Sequence, residues 1–338
     1  MKVAYKVAGK TDVGLVREGN EDALKIDQDN NLFIVCDGMG GHQAGEVASR
    51  EACDVVAYCF TDLASQIQSR DELKLIDIIP PRGDLLVKAI RIANRSVYIR
   101  SRSNSALTGM GTTIVAMALE EGLISIAHAG DSRAYRLYGN KLSRLTNDHS
   151  WVSELQASGQ MTEAEANKIA GKNVITRALG VNERVDIDYR ANLVTEGEIY
   201  ILCSDGLCGF AEDDEIEKAA NDCNGNVEKI TDTLVRLANE HGGQDNVTVL
   251  ALRIEKAEIP ENTETYGPVT VSKENEQAIN VENEIVKSII DLKSADEPEE
   301  EEDTLHQVQS KSAFGPFLLI ALAFIIVAAA FIFFYSGD

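Results

Sequence analysis

Short apolar runs bounded by Gly, Asp or Asn recur through residues 1–254 and predict β-strands. The clearest runs lie at 32–37, 112–119, 123–129, 133–138, 198–204 and 246–254. Turns of a few residues join the runs between 112 and 145, among them Glu120-Glu121-Gly122 and Gly130-Asp131-Ser132. Because parallel strands need a long crossover, such turns force antiparallel pairing. The pattern therefore argues against a doubly wound, parallel nucleotide-binding sheet.

Apolar residues at helical spacing predict helices on both sides of these strands along the chain. The predicted helices cover 44–65, 82–101, 151–170 and 226–240. Antiparallel strands combined with helices favour an α+β fold in which helices cover the sheets. We expect residues 1–254 to form this one globular domain.

Residues 255–312 differ in composition from the rest of the chain. Between 255 and 310 there are 16 Asp or Glu and four Lys, a net charge of −12. Low hydrophobicity with high charge predicts an acidic, mostly disordered tether over 255–312. Within it, Ile and Val recur at helical spacing over 279–293. This favours a transient helix in a linker over a helix that docks on a partner.

The last part of the chain is apolar. Phe317 to Tyr335 is an uninterrupted run of 19 residues without a charge. That length suits a helix crossing a hydrocarbon core of about 30 Å. We expect residues 313–335 to form a single transmembrane helix, a tail anchor. Because the first residues, MKVAYKVAGK, lack the apolar core of a signal peptide, we expect an inner (plasma) membrane location with the globular domain in the cytoplasm.

Charge and cysteine usage narrow the functional class. The 338-residue chain has a formal net charge of −23, whereas a nucleic-acid binder needs basic side chains to neutralise phosphates. Its six cysteines include no C-x-x-C pair. They are expected to be free thiols in a reducing compartment rather than a disulfide scaffold.

Acidic residues stand at the ends of predicted strands in five places. They are Asp37, Asp131, Asp205, Asp245 and the pair Glu21-Asp22. Any one Asp-Gly or Asp-Asn pair is also a common turn. Buried alone such a side chain is costly, but several can converge on a hard cation that neutralises them. Without a His or Cys cluster, this set favours Mg²⁺ or Mn²⁺ over zinc.

A site with two such ions suits displacement at phosphorus, since it activates a water and stabilises the attacking and leaving oxygens. Arg17 lies four residues before Glu21 and offers bidentate donors to phosphate oxygens. The sequence contains neither the Cys-x₅-Arg loop of thiolate phosphatases nor a Walker A loop. It also lacks the G-x-S-x-G turn of serine hydrolases.

Eight motifs, in order, resemble the metal-dependent protein phosphatases, the PPM or type 2C family, in its bacterial form. They are VREGNEDA (16–23), VCDGMGGHQAGEVAS (35–49), GMGTTIVA (109–116), HAGDSRAY (128–135), LTNDHSWV (145–152), ITRALG (175–180), CSDGL (203–207) and QDNVTV (244–249). The resemblance implies a four-layer α-β-β-α sandwich of two antiparallel sheets flanked by helices. It implies hydrolysis of phosphoserine and phosphothreonine in proteins by a metal-bridging hydroxide.

The resemblance also implies ligands for two Mn²⁺ or Mg²⁺ ions, position by position. Asp37 would bridge both ions, and Asp205 and Asp245 would complete the first site. Gly38 would serve the second through its backbone carbonyl, together with Glu21.

The resemblance implies roles for three further residues. Asp22 would act near the second ion, and Asp131 would share a third, weaker ion with Asp205. Arg17 would hold the substrate phosphate. The expected partners are phosphorylated proteins and a cognate Ser/Thr kinase at the membrane, whose action the enzyme would oppose.

Two alternatives stay open on the sequence. The chain could be a non-catalytic member that serves as a binding module, although the presence of Asp37, Asp205 and Asp245 favours catalysis. It could also be a two-metal hydrolase of small phosphomonoesters, because the metal ligands do not depend on what carries the phosphate. The segment 151–174, which resembles the family's flap beside the active site, is divergent and leaves substrate choice open.

Overall fold

The structure is a computed structural model that describes residues 3–40, 44–73, 75, 79–159, 161–162, 174–257, 265–272 and 276–296. The strands are β1 Ala4–Asp12, β2 Asp22–Asp27, β3 Leu32–Met39, β4 Gly111–Thr112, β5 Ile114–Glu120, β6 Leu123–Ala129, β7 Arg133–Tyr138, β8 Lys141–Arg144, β9 Ile187–Leu193, β10 Ile199–Cys203, β11 Val247–Lys256 and β12 Tyr266–Val271. The helices are α1 Ala44–Thr61, α2 Ala64–Gln68, α3 Pro81–Ser103, α4 Trp151–Ala157, α5 Asp205–Cys208, α6 Asp213–Asn221, α7 Val227–Glu240 and α8 Glu276–Asp296, with 3₁₀ turns at Asp71–Leu73 and Ser105–Leu107.

The strands form two antiparallel sheets. One has five strands in the order β1-β11-β10-β7-β8. The other has seven, in the order β12-β9-β6-β5-β3-β2, with β4 paired to β3. No parallel pair occurs among the described strands, as the short turns predicted.

Three apolar cores define four layers. Phe33, Val35 and Tyr200 belong to the core between the sheets. A second core joins α1 and α3 to the seven-stranded sheet, and a third joins α5, α6 and α7 to the five-stranded sheet. The expected α-β-β-α sandwich is therefore confirmed.

Strand β6 shows why its run is apolar at every position. Side chains alternate between the faces of a strand. Ile124 and Ile126 enter the core between the sheets, while Leu123 and Ala127 face the helices. Both faces are covered, so the whole strand is buried. At its start, Glu121 and Gly122 take positive φ of 48° and 84°, the conformation of a tight hairpin turn.

Two strands that the apolar runs did not reveal are β1 and β9. Strand β1 lies at a sheet edge, where partial exposure allows Lys and Thr among its residues. Strand β9 alternates strictly: Ile187, Tyr189 and Ala191 are buried and polar residues stand between them. Neither forms the continuous apolar run that marks a strand covered on both faces.

The expected domain boundary at residue 254 and the mostly disordered tether over 255–312 are wrong for the described part of that segment. Strand β12 pairs with β9, and α8 contributes Ala278, Ile285 and Ile289 to the core beneath α1 and α3. The compact unit extends from Met1 to Ser294. The helix is therefore neither a transient linker helix nor free for a partner on its apolar side. Its apolar stripe is buried despite the acidic composition, because only one face of a helix needs to be apolar to pack.

Two other expectations fall partly or wholly outside the described residues. Helix α4 ends at Ala157, and most of the rest of the predicted helix 151–170 is not described. The predicted transmembrane segment 313–335 also lies outside the described residues. Among the helices that are described, none has the length and apolarity needed to span a bilayer.

Two isoleucines on α8 test whether this helix belongs to the domain. Ile285 is 1% exposed and Ile290 is 46% exposed. We expect Ile285→Ala to lower the free energy of unfolding by about 2–5 kcal/mol, because it leaves a cavity in a packed core. Ile290→Ala should change it by less than about 0.5 kcal/mol. Urea unfolding of residues 1–296 measures both; equal, negligible effects would show that α8 does not pack.

Candidate metal centre

The acidic residues lie at one end of the sandwich, where several strands end. Asp22 opens β2 and stands directly opposite Asp37 of β3. Asp205 is the first residue of α5 and follows β10, while Asp245 precedes β11. Asp131 follows β6. The two sheets thus bring together residues far apart in sequence.

Backbone contacts fix Asp37 on its strand. The Asp37 carbonyl accepts from the Thr113 amide at 2.8 Å and the Thr112 hydroxyl at 2.9 Å. The Asp37 amide donates to the Thr113 hydroxyl oxygen at 3.1 Å. That hydroxyl also pairs with Ser132 at 2.7 Å, beside Asp131. The two threonines therefore set the position of Asp37 relative to the Asp131 loop.

Ser204 ties the two sheets together beneath the acids. Its hydroxyl donates to Asp22 Oδ2 at 2.8 Å and accepts from the Thr248 amide at 2.9 Å. Asp22 belongs to the seven-stranded sheet, whereas Thr248 belongs to the five-stranded sheet and Ser204 directly follows its strand β10. The motif CSDGL (203–207) predicts a role for Asp205 only, so the link that Ser204 makes between the sheets was not predicted.

Gly38 lies where β3 approaches the start of α1 most closely. Its amide donates to the Glu21 carbonyl at 3.1 Å. A Cβ at Gly38 would lie 2.1 Å from the Gly45 carbonyl oxygen, so no side chain fits. A Cβ at Gly45 would lie 2.6 Å from Glu21 Oε1. The two glycines allow Glu21 to sit against the Asp-Gly turn.

Asn246 holds the loop that carries Arg17. Its Nδ2 donates to the carbonyls of Val13 and Gly19, both at 2.9 Å. Its Oδ1 accepts from the Glu21 amide at 2.8 Å. The sequence offered only the pair Asp245-Asn246, which resembles a turn, so this role was not predicted.

Arg17 faces the same acids. Its Nη2 lies 2.8 Å from Asp245 Oδ2, and its side chain is 49% exposed. Burial opposes its charge, but Asp245, Glu21 and Asp37 raise the pKa of Arg17. The guanidinium is therefore charged and accessible at the rim of the acidic group.

Electrostatic repulsion among the acids is large. Burial, followed by the charges of Asp22 and Asp205, raises the pKa of Asp37 well above its usual value. Burial and neighbouring acids also raise the pKa of Asp22 and of Asp131 to about 7. These carboxylates lie so close together that ionising all of them has a high free-energy cost unless positive charge lies between them.

Three carboxylate oxygens in this group show where cations would bind. Glu21 Oε1, Asp22 Oδ1 and Asp131 Oδ1 are buried, and no described residue donates a hydrogen bond to them. A buried, unpaired acceptor is costly, which makes each a ready ligand for a cation. An all-oxygen donor set suits Mg²⁺ or Mn²⁺. The residues therefore fit the expected metal group.

A second cluster, His128, His149 and Asp188, also has ligand-like spacing. The Gly130 amide donates to His149 Nδ1 at 3.1 Å, so the proton of that ring is on Nε2, 3.1 Å from Asp188 Oδ2. Arg177 Nη1 lies 3.0 Å from the other Asp188 oxygen. Burial and the neighbouring ring lower the pKa of His128 to about 4, which keeps it neutral. Because a proton and Arg177 already satisfy Asp188, we interpret this cluster as a hydrogen-bonded network.

Comparison with known proteins agrees with this geometry. The family model described as Protein phosphatase 2C matches residues 16–248. The serine/threonine phosphatase stp of Listeria monocytogenes serotype 4b is 35% identical over 244 residues, covering 71% of this chain and 92% of its own.

Solved structures show the same similarity. The Mycobacterium tuberculosis serine/threonine phosphatase PstP/Ppp has 32% identity and a TM-score of 0.63, covering 75% of this chain and 99% of its own. The catalytic domain of the phosphatase PstP in complex with two manganese ions has 30% identity and a TM-score of 0.62, covering 75% of this chain and 100% of its own.

Proposed function

The chain belongs to the protein phosphatase 2C family and is a metal-dependent protein serine/threonine phosphatase that uses Mn²⁺ or Mg²⁺, and we propose that it works through a pair of these ions. Asp37 would be a ligand of both ions. Asp205 and Asp245 would hold the first, while the Gly38 carbonyl and Glu21 would hold the second. Asp131, with Asp205, would offer a weaker third position.

This proposal rests on carboxylate oxygens that have no hydrogen-bond donor among the described residues and that belong to acids repelling one another. Oxygens of Glu21, Asp22 and Asp131 are buried without a described donor. Bound ions of this type activate a water at neutral pH and neutralise charge on the reacting phosphate. The protein's contribution is to hold the ligands rigidly, which the contacts of Thr113, Ser204 and the Gly38–Gly45 approach do.

Arg17 would bind the phosphate group of the substrate. Its guanidinium is held at the rim by Asp245 and presents planar donors that match phosphate oxygens. Asn246 fixes the loop on which it stands, so little motion is needed for binding. The expected substrates are phosphoserine and phosphothreonine residues of proteins, and the expected physiological role is to oppose a Ser/Thr kinase at the membrane.

An assay of residues 1–296, which contain the compact unit and all of α8, tests the catalytic proposal. Phosphate release from a phosphothreonine peptide should require Mn²⁺ or Mg²⁺ and stop with EDTA. Asp37→Asn should lower kcat/KM by two or more orders of magnitude, because it removes the ligand shared by both ions. The matched control is Asp232→Asn, an exposed aspartate paired with Lys10, which should leave the rate unchanged.

Two outcomes would select the alternatives. A folded fragment that binds Mn²⁺ but releases no phosphate from any substrate would be a binding module. Release from p-nitrophenyl phosphate but from no phosphoserine or phosphothreonine peptide would indicate a hydrolase of small phosphomonoesters.

We infer a single transmembrane helix at residues 313–335, which would anchor the domain, in the cytoplasm, to the inner membrane. The support is the apolar run from Phe317 to Tyr335. The six cysteines are buried and unpaired, which suits a reducing compartment. Because α8 ends at Asp296, only 16 residues separate it from the anchor, far fewer than a tether beginning at 255 would provide. Membrane-bound phosphoproteins are thus favoured substrates.

Membrane fractionation of the full chain tests the anchor. The chain should sediment with membranes and resist alkaline carbonate but dissolve in detergent. Replacing Ile325 and Ile326 by Arg should release it, because each charge at the centre of a span costs about 2.5–3.5 kcal/mol on insertion scales. The control replaces the same residues by Leu. Full recovery of the unmodified chain in the soluble fraction would refute the anchor.

A further inference from the structure

Strand β12 and helix α8 form an appendage beyond the region shared with the family. The family match ends at residue 248, and the solved relatives are covered almost completely by about three quarters of this chain. The appendage is nevertheless part of the compact domain. The Arg91 guanidinium on α3 donates to the Val271 carbonyl at 3.0 Å, and Arg95 bonds Asn283 of α8.

The appendage also contacts the histidine network beside the metal centre. Thr270 of β12 stands directly opposite Asp188 of β9. Its hydroxyl donates to Asp188 Oδ1 at 2.7 Å, the oxygen that also accepts from Arg177. Pro268 lines a cavity of about 20 Å³ together with His128 and Asp188, so β12 lies beside this network as well as bonding to it.

Asp188 in turn orients His149. The proton of the His149 ring points to Asp188, which leaves the opposite nitrogen to accept from the Gly130 amide. Hydrogen bonds from His149 and Thr270 overcome the effect of burial and lower the pKa of Asp188, so it stays ionised. An ionised Asp188 selects one tautomer and one orientation of the ring.

His149 connects two parts of the active site. Its backbone amide donates to the Gly130 carbonyl at 2.9 Å, so both polar groups of Gly130, the neighbour of Asp131, are bonded to this one residue. Its carbonyl accepts from the Thr176 amide at 2.8 Å. Next to it, the Trp151 amide donates to the Val174 carbonyl at 2.9 Å, which closes the base of the flap segment 151–174.

We propose that Thr270 is a positioning residue through which the C-terminal appendage sets the Asp131 loop and the base of the flap. The chain of contacts runs from Thr270 to Asp188, from Asp188 to His149, and from His149 to Gly130 and Thr176. Each link is a hydrogen bond between described groups. The appendage precedes the inferred membrane anchor along the chain.

Hydrogen exchange on the full-length chain in detergent tests this proposal without relying on activity. Thr270→Val keeps the branched shape but removes the hydroxyl. We expect exchange at the Gly130 and Thr176 amides to become about 2- to 10-fold faster, the effect of losing one hydrogen bond. Exchange in β5 should not change. Thr270→Ser should restore protection, and Ser272→Ala, which removes a hydroxyl just beyond the same strand, should have no effect.

A kinetic comparison provides a second readout, which rests on the proposed phosphatase activity. Thr270→Val should raise KM for a phosphothreonine peptide about threefold, because Thr270 would help to position the base of the segment that resembles the family's flap beside the active site, and weakening one hydrogen bond costs about this factor. KM for p-nitrophenyl phosphate should change less.

Three results of the exchange experiment would overturn the proposal. They are unchanged exchange at Gly130 and Thr176, an equal increase throughout β5, or no rescue by Thr270→Ser. Changed exchange in a chain without phosphatase activity would uphold the positioning and refute the function instead.

Discussion

The repulsion among six acidic side chains at one end of the sandwich is the constraint on which this structure depends. Glu21, Asp22, Asp37, Asp131, Asp205 and Asp245 interact there, and burial adds to the cost of charging the first five. Among the described residues, the basic side chain that pairs with them is Arg17, which lies 2.8 Å from Asp245. Divalent cations offset such a concentration of negative charge, and their demand for several oxygen ligands accounts for the convergence.

The scaffold holds these acids in place through uncharged groups. Thr113 fixes Asp37, Ser204 joins Asp22 to the opposite sheet, and Asn246 fastens the Arg17 loop. Glycine at position 38 allows two backbones to approach where a side chain would collide. Rigid ligands of this kind keep the site in shape before ions or substrate bind. The appendage extends the same principle from the C-terminal side of the domain.

The sequence predicts the strands that are covered on both faces. It also predicts the acidic residues at the ends of those strands. Strand β6 and residues 32–36 of β3 are apolar and buried because two layers cover them, so their runs stand out. The packing of helix α8 was not predicted, because acidic exposed residues dominate its composition. Only a narrow apolar stripe packs against the core. Ser204 and Asn246 were missed because a small polar residue at a strand end resembles a turn residue until its cross-sheet partner is known.

Thermal unfolding of residues 1–296 between pH 5 and pH 8, with EDTA or Mn²⁺, tests the central claim most directly. The raised pKa values, about 7 for Asp22 and Asp131 against about 4 in an unfolded chain, mean that the folded protein binds more protons in this window. The metal-free Tm should therefore fall as pH rises towards 7, and Mn²⁺ should remove the fall. Asp131→Asn should flatten the metal-free profile, whereas Asp232→Asn should not. A Tm that does not fall as pH rises towards 7, or a fall that neither Mn²⁺ nor Asp131→Asn reduces, would contradict the account.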